Sequence, residues 1–125
     1  MIVRRTLAAL LLLAVTSAPV RAQNVGSALE DNLARLSEIL GALHYLRGIC
    51  NGREGNRWRA EMQQLVEAEG ASPDRKTRMT ASFNRGYNGY QQTYRTCTPA
   101  AELAVRRYLD EGSKLAREVG ARYSN

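Results

Sequence analysis

The chain has one histidine, one tryptophan, one phenylalanine, two cysteines and three prolines among its 125 residues, and only two of its 18 basic residues are lysine. Each scarcity excludes something. No GxSxG, HExxH, GxGxxG or Walker loop occurs, so there is no nucleophile elbow, no paired-histidine zinc motif and no glycine loop to cradle a phosphate. The cysteines, Cys50 and Cys97, are too far apart for a CxxC redox motif, and CxxCH for covalent haem is absent. His44 has Leu40 and Gly48 four residues to either side, hence no ligand partner on its own helical face. Neither a metal nor a cofactor is expected. Alternating strand patterns, internal repeats and low-complexity tracts are also lacking.

The first 22 residues read as an address. Arg4 and Arg5 precede the apolar run Leu7 to Val15, well short of the ~20 residues that span a bilayer. Pro19 breaks the run, and Val20-Arg21-Ala22 has the form of a signal-peptidase site. Cleavage is expected after Ala22, leaving residues 23–125 as a single domain that starts at Gln23, with no transmembrane anchor. Since no cysteine precedes Cys50, lipidation is excluded. The cut also removes Arg4, Arg5 and Arg21, so the net charge falls from +6 to +3. A nucleic-acid partner, which the pI of 9.8 alone would suggest, is therefore not expected. Two cysteines in an exported chain read as a disulfide.

The rest is helical in period. Four helices are expected, in an all-α up-down bundle stapled by one disulfide. The first opens at Ser27 with Glu30 three residues on, a capping box, and carries the stripe Leu29, Leu33, Leu36, Leu40, Leu43 and Leu46. Asn51 to Gly55 is a turn. The second carries Trp58, Met62, Leu65 and Val66 and stops at Gly70. Ser72-Pro73-Asp74 begins the third as N-cap, first helical residue and first-turn acid; it runs to about Thr96. Its interior glycines, Gly86 and Gly89, each cost about 1 kcal/mol against alanine and point to a close helix approach or a kink. Thr98-Pro99 starts the fourth helix, which runs to about Arg122. Short loops make neighbours antiparallel, so the first and third helices point the same way and bring Cys50 and Cys97 to one pole. In a square bundle those two helices can be diagonal, whereas disulfide Cα atoms must lie within about 7 Å.

At a rise of about 1.5 Å per residue, six residues make about 9 Å. His44 precedes Cys50, and Gln91 precedes Cys97, by that interval. His44, Arg47, Trp58, Tyr90, Gln91, Tyr94 and Arg106 are thus expected at one level near the disulfide pole, a candidate binding layer. On the third helix Asn84, Asn88, Gln91 and Arg95 make a polar stripe beside Tyr87, Tyr90 and Tyr94, and amides with phenols suit sugar or peptide recognition. Tyrosines at helical spacing are more often core residues, and Trp58 more often a packing anchor. His44 is the one residue with a pKa suited to acid–base chemistry near neutrality, although a lone histidine is more often a hydrogen-bonded interface residue.

The blocks LSEILGALHYLRGIC (Leu36 to Cys50), FNRGYNGYQQTYRTCT (Phe83 to Thr98) and RYLDEGSKLAREV (Arg107 to Val119) resemble an uncharacterised alphaproteobacterial family of short exported proteins with two well-separated cysteines. The resemblance covers most of the mature chain. It implies the periplasm as destination and supports the Cys50–Cys97 pairing, and it implies no activity. The leading functional expectation is a non-enzymatic protein that binds an envelope component or a protein partner. The alternative is a small helical enzyme acting on an envelope substrate with His44 as acid or base. A third is an oligomer that buries the helix stripes against its own copies.

Overall fold

A computed structural model describes residues 20–121. The signal peptide expected over residues 1–22 lies almost wholly outside them. Four helices follow in order, α1 (Val20–Ile49), α2 (Arg57–Glu69), α3 (Pro73–Thr93) and α4 (Pro99–Ala121). None is long and apolar enough to cross a membrane among the described residues.

Helix α1 is the axis of the fold. The other three all pack on it, α2 also touches α3, and at backbone level α4 meets α1 alone. Helices α1 and α3 run parallel, from Glu30 facing Arg75 at one end to Tyr45 facing Tyr94 at the other. Helix α4 runs antiparallel to α1, held by Asn32 to Glu118 and by the two-pronged Arg35–Glu111 pair at 2.8 and 3.0 Å. The core follows from this arrangement. Leu33, Leu36, Leu40, Leu43 and Leu46 of the expected stripe are buried, and so are Ser37, Ile39, Gly41 and Ala42 on the remaining sides of α1. A helix apolar on nearly all sides belongs inside.

The α1–α3 seam is built from small residues. A β-carbon added at Gly41 would lie 1.9 Å from the Phe83 carbonyl oxygen, and one at Gly86 would lie 2.0 Å from that of Glu38. Buried Ser37 and Ser82 complete the seam, Ser37 returning its hydroxyl to the Leu33 carbonyl at 2.7 Å. Gly86 therefore marks a close approach. Gly89 has open space around it and marks nothing comparable.

Local signals are realised where they depend on adjacent residues. The Ser72 hydroxyl accepts from the Arg75 N–H at 3.1 Å, and Thr98 accepts from the Ala101 N–H at 3.1 Å. Gly70 ends α2. After Cys50 the chain leaves α1 through Asn51 at φ 73°, a left-handed conformation that asparagine tolerates. Two boundaries differ from expectation. Helix α1 starts at Val20, so Ser27 lies inside it and cannot cap it. The capping box is not formed, and Glu30 instead pairs with Arg75 and Arg78 of α3. Helix α3 ends at Thr93 and not near Thr96, because Tyr94 is extended and its carbonyl accepts from the Tyr45 hydroxyl.

Cys50 and Cys97 are bonded, with Cα atoms 5.0 Å apart. The diagonal that would separate them in a square bundle does not arise, since α1 and α3 are in direct contact. Below the bond, Glu54 ties the α1–α2 turn together. It accepts from Arg47 at 2.9 Å and from the Trp58 indole at 2.7 Å, while Arg57 lies over the Trp58 ring at 4.8 Å. Hydrogen bonding from Arg47, reinforced by Trp58, holds the Glu54 carboxyl down at about 2. A carboxyl depressed on folding stabilises fully above its unfolded pKa, near 4.5, and loses that contribution as pH falls through its folded value. Melts at pH 7, 4 and 2.5 are expected to show this loss below about pH 4.5, to which Glu30 and Glu111, also depressed by arginine hydrogen bonds, add. Glu54→Gln should cost about 2 kcal/mol at pH 7 and flatten its share of the acid limb. Equal acid limbs in the two proteins would refute that assignment.

Candidate functional site

Because α1 is central, its sides open onto different surfaces. Between α2 and α4 lies a groove of about 490 Å³ whose floor is the α1 leucines and whose walls include Trp58 and the 37% exposed Leu109. It is mainly apolar. Near the disulfide, a third recess of about 340 Å³ is lined by Arg47, Cys50 and Arg106. Between α2 and α3 lies a cleft of about 740 Å³, within the size range of small-ligand sites. Its lining mixes polar and aromatic side chains with Met62 and Val66, and His44 of α1 contributes to it.

The α2–α3 cleft has an internal order that helix geometry explains. Arg59, Gln63 and Glu67 of α2 and Lys76, Thr80 and Asn84 of α3 all line it. Each set has the four-residue spacing that aligns side chains along one helical face. The two helices join through a turn at Gly70 to Ser72, so antiparallel register sets Glu67 level with Lys76, Gln63 with Thr80 and Arg59 with Asn84. Glu67 and Lys76, of opposite charge, lie nearest the turn and form no ion pair with each other. The amide and hydroxyl occupy the middle, and Arg59 stands at the open end.

His44 sits among aromatic rings, 6.0 Å from Phe83 and 5.5 Å from Tyr87 between centroids. Its Nδ1 is buried and has no hydrogen-bond partner among the described residues. Such a group costs about 1–3 kcal/mol, which the packing of α1 on α3 must offset. Burial, with the nearby Arg59 charge, lowers the imidazole pKa. The ring is therefore neutral at pH 7, with one nitrogen able to donate and the other to accept.

The expected binding layer is divided by the fold. His44 and Asn84 share the α2–α3 cleft. Trp58 faces the α2–α4 groove and, like Arg47, is engaged by Glu54. Arg106 lines the recess by the disulfide. Tyr90 and Tyr94 stack at 6.1 Å, and the Tyr90 hydroxyl meets that of Tyr108 of α4 at 2.7 Å. Asn88 and Gln91 are exposed and lie beyond Asn84 along α3, outside the cleft lining. His44 packs level with Phe83 and Tyr87, about one turn short of Gln91, so counting residues back from the cysteines fixed neither the exact level nor the angular position. Arg59, Gln63, Glu67, Lys76 and Thr80 escaped the sequence reading. The signal for them was present: two polar ladders at four-residue spacing on consecutive antiparallel helices. Among the described residues no group of three or more His, Cys, Asp or Glu gathers in a way that could hold a metal.

No curated protein and no solved structure matches the chain. Residues 28–123, which include all of the cleft, match the family described as a protein of unknown function, DUF2385, and the chain belongs to that family.

Proposed function

We propose that this is an exported, periplasmic, non-enzymatic binding protein whose ligand site is the α2–α3 cleft. The supporting observation is the cleft itself: facing polar ladders over a neutral, partly buried His44, with Phe83 and Tyr87 beside it. Polar groups converging at an aromatic-walled concavity fix a ligand's orientation while the rings supply contact area. The apolar run and small-residue cleavage signal at the N-terminus support export, and the disulfide suits an oxidising compartment.

The test uses the full chain expressed in a Gram-negative host, with a photo-crosslinking residue at Thr80 or Asn84 in the cleft, or at the exposed Lys114 or Arg117 of α4 outside it. Envelope adducts are expected from the first pair only, on protein recovered in the osmotic-shock fraction with Gln23 as its first residue. Equal or absent adducts at all four positions would reject the cleft as the site. Retention in the cytoplasm with residues 1–22 attached would reject export.

A second reading, an enzyme using His44 as acid or base, is favoured by one observation: this imidazole and the Glu67 carboxyl line the same concave cleft. It predicts that wild-type protein transforms the crosslinked ligand and that His44→Gln binds it unchanged without transforming it. Recovery of intact ligand from wild type after long incubation decides for binding.

A further inference from the structure

We infer that the ligand of the α2–α3 cleft is an acidic carbohydrate of about two sugar rings, seated with its carboxylate against Arg59. The inference rests on the cleft being the binding site and adds the chemistry of what it takes.

Charge is the first argument. The ionisable lining comprises Arg59 and Lys76 against Glu67, with His44 neutral. Glu67 and Lys76 lie nearest the turn with opposite charges and no ion pair between them, so the lining keeps one positive charge in excess. Arg59 forms no ion pair among the described residues and stands at the open end beside His44, whose pKa its charge helps to lower. One unbalanced guanidinium in a cleft selects one anionic group, and a guanidinium matches a planar carboxylate with two parallel hydrogen bonds. The body of the ligand is the second argument. Between Arg59 and Glu67 the wall is eight residues long, about 12 Å at helical rise, and its middle offers the Gln63 amide and the Thr80 hydroxyl. These are paired donors and acceptors, suited to ring hydroxyls. Tyr87 and Phe83 give an aromatic side against which the apolar face of a sugar can lie.

His44 makes the test clean, because it is the only histidine in the chain and its Cε1–H resonance is unambiguous. The probes are digalacturonic acid, neutral cellobiose and the acidic dipeptide alanyl-glutamate, each titrated into the full-length mature protein. Digalacturonic acid is expected to move the His44 resonance saturably and to raise its pKa, since a bound carboxylate offsets the Arg59 charge. Arg59→Gln should weaken that binding at least about tenfold. Lys114→Gln, at an exposed cation of α4 outside the cleft, should leave it unchanged and serves as the folded control.

Cellobiose binding as tightly as the diacid would overturn the charge argument while leaving the cleft as the site. Tighter binding of the dipeptide would overturn the carbohydrate assignment. Absence of any response to all three probes would overturn this inference alone if cleft crosslinks to an envelope component still form. With those crosslinks also absent, the binding site itself is rejected.

Discussion

Reducing the Cys50–Cys97 bond, or replacing both cysteines with serine, is expected to lower the unfolding free energy by about 4 kcal/mol, the chain-entropy value for the closed loop. The bond joins residues 47 apart, and the loop contains all of α2 and α3. Once it opens, both walls of the cleft are held only by their packing on α1 and on each other. A domain of this size has a total stability on the order of 5–15 kcal/mol, so the loss is a large fraction of what holds the site together. Reductant has an accessible point of attack, because Cys97 is exposed whereas Cys50 is buried. Urea unfolding with and without reductant, followed by far-UV circular dichroism, measures the effect. Identical midpoints would show that the bond contributes nothing. Mass spectrometry finding both thiols free in protein from its own compartment would show that it does not form there.

Alanine at Gly41 or Gly86 is expected to destabilise by about 3 kcal/mol or more, at the upper end of overpacking costs. The added methyl group would meet a backbone carbonyl of the facing helix at 1.9 or 2.0 Å. A main-chain oxygen inside a hydrogen-bonded helix cannot rotate away as a side chain can, so the two helices must separate. That separation outweighs the roughly 1 kcal/mol that alanine brings in helix propensity. Gly89→Ala gives the opposite sign. It adds a methyl group to open space and should stabilise by up to about 1 kcal/mol. Equilibrium unfolding of the three variants is the measurement. Gly86→Ala as stable as wild type would refute the direct backbone contact of α1 with α3. The contact also bears on the site, because Phe83, whose carbonyl abuts Gly41, lines the cleft beside His44.

The two glycines of α3 show where sequence reasoning stops. In the sequence they are equivalent: both lie inside one helical period, and both carry the same propensity cost. Only the facing surface distinguishes them, and that surface belongs to residues 38–42, more than forty positions away. Arg47 and Trp58 show the same limit. Their residue types suited a ligand site, yet the bend of the turn brings Glu54 onto both, and they serve the fold. His44 and Asn84 were legible as candidates from chemistry alone, but their joint membership of one cleft was not.

The order of residues by itself determined what neighbours within a few positions decide. That includes four helices, the caps at Ser72 and Thr98, the stop at Gly70, the leucine stripe and a cysteine pair at one pole. Such features depend on backbone hydrogen bonds and side-chain spacing inside one turn or one helix. Tertiary structure alone decided that α1 is the axis, that Glu30 reaches α3 and caps nothing, and that two polar ladders face one another across a cleft. Those outcomes depend on how each helix is rotated about its own axis. The rotation is set by which small residues let two backbones meet, and no single helix carries that information.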